Sequence, residues 1–393
     1  MTMRHKLPFA LMRGGTSKGV FLHADHVPAD RERLTALLLD LFGSPDRRQI
    51  DGLGGADKLT SKAAIIGPPV RPDTDVTYLF GQVGTVQAEV DYNLNCGNLT
   101  AAVGVYAIEE GFVAPVEGLT EVRVHNVNTD RVIRVVVPVR DGEPVWEGDF
   151  AIGGVPGTGA PIDLDFSAAT GAITGTLFPT GNVSDWLDVP EVGQVEVSIV
   201  DGANLAVYID HAALDMTGLE SPDEIDADAA LKRRMDAVRK VVAYRCGLQD
   251  YWNARKAPST PMLIVLRGAT DYLTCTQGER VPAHTFDLVV RQYASGSASK
   301  TLAGTLTATT GVACRVPGTI PYRLLGEDAR RSTRRLGFGH PSGIAFVEAA
   351  VDATREGVSV DRMVVQRTAR RLADGVAYLR QGIDMPTAVT DPP

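Results

Sequence analysis

The sequence predicts an α+β fold made of two similar halves in which strands outnumber helices. Glycine accounts for 40 of the 393 residues, about 10% against a usual ~7%, which favours strands and turns over a helical bundle. Apolar and polar residues alternate over 76–92 and 121–138, as in antiparallel strands. A short segment, 15–22, also matches a second segment at 202–209.

The elements of the first half can be assigned in chain order. A strand, a glycine-rich turn and a second strand are expected over 8–24, and Asp30 is a candidate N-cap for a leucine-rich helix. Segment 121–138 is expected to form a hairpin with its turn at 128–130. Further helices are predicted over 98–110, 226–246 and 367–380.

The match between the two segments indicates a duplication. GTSKGVFL at 15–22 aligns with GANLAVYI at 202–209, and each copy follows an alternating apolar strand. We therefore expect two halves, 1–185 and 186–393, with a cleft between them where a small ligand binds.

Composition and charge exclude several classes of function. The chain has 39 basic and 48 acidic residues, a net charge of −9 and a pI near 5.3, which disfavours nucleic acid and anionic membranes as partners. No stretch approaches the ~18 apolar residues of a membrane span. The four cysteines form no CxxC pair and have no histidine at ligand spacing, so neither a metal site nor a disulfide framework is expected. A reducing cytoplasm is the expected location.

The strongest chemical signal is NCGNLTAAVGVYAIEEG at 95–111, where Cys96 precedes an apolar helical pattern. The first amides of a helix have no partner within it, and the helix dipole favours negative charge there. Such a position stabilises a thiolate, and the same amides can bind a carboxylate. The alternative is a small buried cysteine with Gly97 and Asn98 serving as a helix cap.

A second signal is Lys62 in DGLGGADKLTSKAAII, between a polar glycine-rich run and an apolar strand or helix. A lysine that enters an apolar segment is partly desolvated, which disfavours the ammonium form. An uncharged lysine can act as a base toward a carbon acid. The alternative is a surface lysine that packs its stem and leaves its amine in water.

A third signal is MRGGTSKGVF at 12–21. Its glycines permit close approach of a ligand to the backbone, Thr16 and Ser17 offer hydroxyls, and the Arg13 guanidinium suits a carboxylate. The alternative is a hairpin turn with no further role. Weaker candidates for binding a substrate carboxylate are Arg291, Lys300 and Ser342, each in a segment that by itself is more typical of a plain loop than of a site.

At these motifs the chain resembles the PrpF family, which includes 2-methylaconitate cis–trans isomerase, 4-oxalomesaconate tautomerase, methylitaconate Δ-isomerase and aconitate isomerases. The resembling stretches extend over most of the chain: MRGGTSKGVF, GSPDRRQIDGLGGADKLTSKAAII, NCGNLTAAVGVYAIEEG, PTGN, RVPGT and GHPSG. The resemblance implies a diaminopimelate epimerase-like fold. In that fold each half is a mostly antiparallel strand barrel or sheet around a central helix, and the active site lies in the cleft between the halves.

The resemblance also implies proton transfer without a cofactor, with Lys62 and Cys96 at the catalytic positions. It implies further that Ser17, Asn95, Gly97 and Asn98 contact the substrate. Related racemases place a second cysteine at the start of the second central helix. Here the corresponding segment is TLTATTGVAC at 305–314. It is expected to have threonines at the helix start, and its cysteine comes too far along the segment to take that position. The acid and base should therefore be one amine and one thiol.

The expected function is that of an isomerase which moves an allylic proton in a small unsaturated di- or tricarboxylate, as in 4-oxalomesaconate tautomerase. One alternative is cis–trans isomerisation of 2-methylaconitate or aconitate. Another, from a different class, is a non-catalytic protein that holds a tricarboxylate for a partner dehydratase. Besides the small-molecule substrate, a homodimer is left open as a partner.

Overall fold

The computed structural model describes residues 5–93, 95–354 and 357–380 and has an α+β fold dominated by strands, which confirms the predicted class. The helices of the first 165 residues are α1 (Arg31–Phe42) and α2 (Gly97–Glu109). The strands there are β1 (Lys6–Gly14), β2 (Ser17–His23), β3 (Lys62–Gly67), β4 (Val76–Val83), β5 (Val90–Asp91), β6 (Gly118–Asn126), β7 (Arg131–Arg140), β8 (Glu143–Pro144) and β9 (Ile162–Asp165).

The rest of the chain continues the same mixture. Its strands are β10 (Asp185–Val189), β11 (Gly193–Asp201), β12 (Leu205–Asp210), β13 (Met262–Gly268), β14 (Tyr272–Leu273), β15 (Arg280–Val281), β16 (Leu288–Ala294), β17 (Ser297–Ala298), β18 (Leu336–His340), β19 (Gly343–Thr354), β20 (Gly357–Arg367) and β21 (Ala369–Tyr378). Its helices are α3 (Pro222–Ala227), α4 (Ala229–Arg245), α5 (Gln249–Asn253), α6 (Gly304–Ala313), α7 (Ile320–Leu324) and α8 (Glu327–Arg331).

The chain divides into two compact units. The first comprises the described residues of Met1–Phe150, Gly157–Leu164 and Arg367–Pro393, and the second comprises those of Ala151–Pro156 and Asp165–Gln366. This division differs from a single cut after residue 185. The reason is that β21 returns to the first unit, where it pairs antiparallel with the full length of β1.

The helix predicted over 367–380 is therefore wrong. Pairing with β1 satisfies the backbone of this segment, and its side chains alternate as in a strand. Ala377 and Leu379 pack against the core beside α1, whereas Val376 and Tyr378 are exposed. The other helices and the 121–138 hairpin form close to where the sequence predicts them, and segment 226–246 falls in α3 and α4.

In the first unit, the strands enclose α2. Every residue of α2 from Gly97 to Ile108 is buried. One face of the sheet packs on the leucines of α1, and the other faces α2, where the rings of Phe21 and Tyr106 lie 5.5 Å apart. A methyl group added at Gly104 would lie 2.5 Å from a methyl of Val135, so β7 packs directly on the helix.

The second unit repeats this order of pairing. In both units five successive strand pairs alternate between antiparallel and parallel, and they begin and end antiparallel. In the first unit these pairs are β1–β2, β2–β3, β3–β4, β4–β6 and β6–β7. In the second unit they are β11–β12, β12–β13, β13–β16, β16–β18 and β18–β19. The buried helix α6 takes the place of α2, and Gly311 contacts Val347 as Gly104 contacts Val135. The two similar halves predicted from the sequence are thus present. None of the helices described is long and apolar enough to cross a membrane.

Candidate active site

The start of α2 is built for contact with a ligand. Cys96 is the N-cap residue and its side chain makes no capping hydrogen bond, so the first amides of the helix are available to an anion. A side chain at Gly14 would come within 2.4 Å of the Asn98 carbonyl oxygen, which explains why β1 ends in glycine there. Gly15 has φ +51°, a conformation that glycine adopts without strain.

Lys62 is the first residue of β3, and only 8% of its surface is exposed. Its Nζ donates to Gln82 Oε1 at 2.7 Å and lies 5.0 Å from the centre of the Phe80 ring. The Gln82 Nε2 donates to the carbonyl oxygens of Lys58 and Ser61, which turns its oxygen toward the amine. Lys62 is therefore held in place and is not the solvated surface lysine of the alternative interpretation.

Lys62 and Cys96 lie at the same end of the first unit. Lys62 pairs with Gly19 across the parallel β2–β3 ladder. A methyl group at Gly19 would lie 2.8 Å from the Lys62 carbonyl oxygen and 2.9 Å from Leu99, in the first turn of α2. Cys96 immediately precedes that turn and is also 8% exposed. Lys62 and Cys96 thus lie near the same end of α2.

A buried arginine adds positive charge beside that N-terminus. Arg367 Nε donates to Asn98 Oδ1 at 3.0 Å, and Asn98 Nδ2 donates to Thr16 Oγ1 at 2.9 Å. Burial lowers the pKa of Arg367 to about 10, so the guanidinium stays charged at neutral pH. Arg367 begins the segment that the sequence predicts as a helix, so its place at this site could not be predicted.

Two buried polar groups at this site have no hydrogen-bond partner within the described part of the chain. They are Ser17 Oγ and Asn95 Nδ2, and both residues are less than 5% exposed. Asn95 Oδ1 accepts from Asn126 Nδ2 at 3.3 Å, which fixes the orientation of the amide. An unpaired buried donor costs about 1–3 kcal/mol, so these groups are suited to a polar ligand.

Arg13 contacts the backbone of the same region. Its Nη1 donates to the carbonyl oxygens of Gly15 and Thr368 at 3.0 and 2.9 Å. Burial lowers its pKa, and the neighbouring Arg370 lowers it further. Arg13 therefore holds the β1–β2 turn against the segment before β21.

The three candidates of the second unit make their own contacts. Arg291 donates to the carbonyl oxygens of Leu219 and Glu220, so its guanidinium supports the segment before α3. Ser342 Oγ donates to the carbonyl oxygen of Lys300 at 2.7 Å. The structure thus brings together Thr16, Ser17, Lys62, Asn95, Cys96, Gly97 and Asn98 in the first unit. A cleft between the halves stays a prediction.

The duplication identifies the counterparts of the reactive residues. Ala206 pairs with Met262 in β12–β13 as Gly19 pairs with Lys62 in β2–β3, so Met262 corresponds to Lys62. The N-cap residue of α6 is Ala303, which corresponds to Cys96. The sequence predicts threonines at this helix start, but α6 begins before them at Gly304, and the buried Cys314 follows its last residue.

Comparison with known proteins relates the chain to one family of isomerases. The family model described as PrpF protein matches residues 4–380. The chain is 43% identical to 3-methylitaconate isomerase of Eubacterium barkeri, over 97% of this chain and 99% of the relative. It is 38% identical to 4-oxalomesaconate tautomerase of Pseudomonas putida and 36% identical to 2-methyl-aconitate isomerase of Cupriavidus necator, over 95% and 94% of this chain and 96% of each relative.

Solved structures agree on the fold. A crystal structure of methylitaconate Δ-isomerase superimposes with a TM-score of 0.79 at 41% identity, covering 99% of this chain and 100% of that one. A hydroxyproline epimerase from Agrobacterium vitis superimposes with a TM-score of 0.56 at 10% identity, covering 97% and 95%, which shows a shared fold alone. The protein is an isomerase, and the chain belongs to the PrpF family.

Proposed function

We propose that the protein moves an allylic proton in a small unsaturated di- or tricarboxylate and thereby shifts a double bond, in the manner of 4-oxalomesaconate tautomerase. The observation that carries this proposal is that a buried lysine, Lys62, and a buried cysteine, Cys96, lie near the same end of α2. The names of the methylitaconate isomerase and oxalomesaconate tautomerase relatives support a double-bond shift.

Binding of a polyanion follows from the groups around Asn98. The amides of Gly97 and Asn98 meet one carboxylate, assisted by the helix dipole. Arg367 lies behind Asn98 and contributes a full positive charge. The unpartnered groups of Ser17 and Asn95 supply hydrogen bonds to the same ligand.

The reaction begins when the uncharged amine of Lys62 removes the allylic proton. An uncharged amine keeps an N–H to donate to Gln82, while its lone pair accepts the proton. The electron pair of the broken C–H bond spreads over the alkene and its carboxylate or keto group as a dienolate, whose charge the α2 amides stabilise. Cys96, or the Lys62 ammonium itself, then gives a proton to the far carbon. The pair of the original double bond forms the new C–H bond, and the pair from the broken C–H bond remains as the new double bond. Where Cys96 is the donor, the Lys62 ammonium returns its proton to the thiolate before the next turnover.

Cis–trans isomerisation is the second candidate, because a 2-methyl-aconitate isomerase is also among the relatives. The same dienolate would rotate about its former double bond and regain a proton at the original carbon. The two reactions differ in where the proton returns. The isomerase class removes the alternative of a non-catalytic accessory protein.

The proposal is tested by incubating the protein in D₂O with 4-oxalomesaconate, 2-methylaconitate, methylitaconate and aconitate, each followed by NMR. We expect one substrate to be converted with deuterium entering at the far allylic carbon. Deuterium at the original carbon with inverted geometry would favour the second candidate. Absence of turnover and of exchange with every substrate would contradict both. The Lys62→Met variant serves as the inactive control.

A further inference from the structure

The hydrogen-bond partner of the proposed base is an uncharged side chain. Lys62 Nζ donates to Gln82 Oε1 at 2.7 Å, and the centre of the Phe80 ring lies 5.0 Å from the same nitrogen. Within the described ranges of the chain, no carboxylate lies at ion-pair distance from this amine. A buried lysine is usually paired with an opposite charge, which favours its ammonium form. An amide oxygen accepts the same hydrogen bond without adding that charge.

The backbone around Gln82 favours an amide at this position. Gln82 Nε2 donates to the carbonyl oxygens of Lys58 and Ser61 at 3.2 and 3.0 Å. A carboxylate has no proton to donate, so its second oxygen would face two carbonyl oxygens. The segment that leads into β3 therefore determines which atom of Gln82 faces the amine and favours a partner without charge.

A buried carboxylate lies one strand further away. Gln82 pairs with Lys62 across the β3–β4 ladder and with Asp91 across the β4–β5 ladder, so the three side chains form a row on one face of the sheet. Asp91 is buried, and its Oδ1 accepts from the backbone N–H and the side-chain amide of Asn93. Gln82 thus stands between the amine and this carboxylate.

The second unit provides an independent comparison. The register of β13–β16 repeats that of β3–β4 and places Met262 and Ala294 where the first unit has Lys62 and Gln82. Gln292, two residues before Ala294, directs its Nε2 to the Met262 sulfur at 3.9 Å, and its oxygen accepts from the backbone N–H at the N-cap of α6. The unit that has the amine directs an amide oxygen to it, whereas the unit that has a thioether at this position directs an amide N–H to it.

We propose that Gln82 is a positioning residue for Lys62: its side-chain oxygen fixes the direction of the amine and, because it is uncharged, lets the lysine lose its proton and act as the base. This inference rests on the proposed function, in which the uncharged amine of Lys62 takes the allylic proton. The titratable and charged groups on the elements around Lys62 are Lys18 on β2, Asp57 and Lys58 before β3, Tyr78 on β4, Asp91 on β5, Cys96 before α2 and Arg367 at the end of β20. They remain in place when Gln82 is changed.

The test follows the protonation of Lys62 without a substrate. The full-length protein is labelled with ¹³C at the Cε atoms of its lysines, and the Cε signal of Lys62 is titrated against pH by NMR. The Lys62→Met protein identifies this signal by its absence. Gln82→Glu keeps the length of the side chain and places a carboxylate beside the amine. Gln194→Glu is the matched control, because it adds the same charge at an exposed position of β11 in the second unit.

We expect Gln82→Glu to raise the pH midpoint of the Lys62 titration by about one to three units, which is roughly ten- to a thousandfold less uncharged amine below the midpoint. The pH at which kcat rises to its plateau should move upward with it. Gln194→Glu should leave both unchanged. An unchanged midpoint in Gln82→Glu, or a wild-type amine that stays charged over the whole pH range in which the protein is folded, overturns the proposal.

A second variant, Gln82→Met, covers the case in which Gln82→Glu does not fold. Because a hydrogen bond stabilises an ammonium more than an uncharged amine, loss of the acceptor should lower the midpoint by about half a unit to one unit. The plateau of kcat should fall by roughly 10–100-fold, because the amine loses its fixed direction. A midpoint that does not fall, or a kcat that keeps its wild-type value, contradicts the positioning role.

The two proposals can fail separately, because the NMR titrations need no substrate. Variants that show the expected shifts in a protein that converts none of the four carboxylates would refute the proposed function and leave the effect of Gln82 on Lys62 intact. A protein that converts one of the carboxylates while its Gln82 variants show no shift would refute the role of Gln82 alone.

Discussion

The two units share their packing and differ in their chemistry. The first turns of α2 and α6 match closely, since Thr100 donates to the carbonyl oxygen of Cys96 as Thr307 donates to that of Ala303. The central glycines, Gly104 and Gly311, each press against a β-branched residue of the following hairpin. At the positions where the first unit has the amine of Lys62 and the thiol of Cys96, the second has Met262 and Ala303. The glycines and threonines are thus common to both units, whereas the two groups to which we assign the chemistry occur only in the first.

The largest loss of activity is expected when the proposed base, Lys62, is replaced by methionine, the residue at the matching position of the second unit. Lys62→Met keeps a long side chain in β3 but removes the proton acceptor. A general base typically contributes ~10²–10⁴-fold, so kcat should fall by at least about that factor while the circular dichroism spectrum is retained. Met262→Leu, a volume-conserving change at the matched position, is the control and should keep its turnover. A wild-type kcat in Lys62→Met would show that Lys62 is not the base and that another difference between the two units supports the reaction.

Replacing Cys96 by alanine, the residue at the matching position of the second unit, should lower kcat by a smaller factor. Cys96→Ala removes one proton donor, but the Lys62 ammonium can still return the proton that it took. We expect kcat to fall by about 10–100-fold, below the upper range of a general acid. Cys246→Ala, at the end of α4, is the control. Equal losses in the Cys96 and Cys246 variants would assign Cys96 a purely structural role.

These two residues stand out in the sequence as candidates because their signals are local. Cys96 stands between a turn and a helix, and Lys62 stands between a polar run and an apolar strand, so a short stretch of sequence identifies each. Arg367 could not be found in this way, since its partner Asn98 is 269 residues distant in the chain and the contact depends on the return of β21.

Arg367 allows the anion site to be tested apart from proton transfer. Arg367→Met removes the charge behind Asn98, and hydrogen bonds to charged groups are worth about 1.5–3 kcal/mol. We therefore expect KM to rise by roughly 10–100-fold, with a smaller change in kcat. Arg371→Lys is the control, because Arg371 pairs with Glu109 and Glu110 at the opposite end of α2. A change in kcat alone would contradict a binding role for Arg367.

The smallest effect is expected from alanine at the central glycine of either buried helix. It should lower the free energy of unfolding by a similar amount in both units. Alanine at Gly104 or Gly311 would place a methyl group 2.5 or 2.7 Å from a methyl of Val135 or Val347. Both neighbours are β-branched and cannot turn away, so overpacking costs about 1–3 kcal/mol and outweighs the ~1 kcal/mol that alanine gains over glycine in a helix. Each variant should shift the urea midpoint downward by a similar amount and keep kcat per folded molecule. A shift in only one of them would mean that the other unit packs its central helix less tightly, and that the symmetry of the backbone does not extend to its energetics.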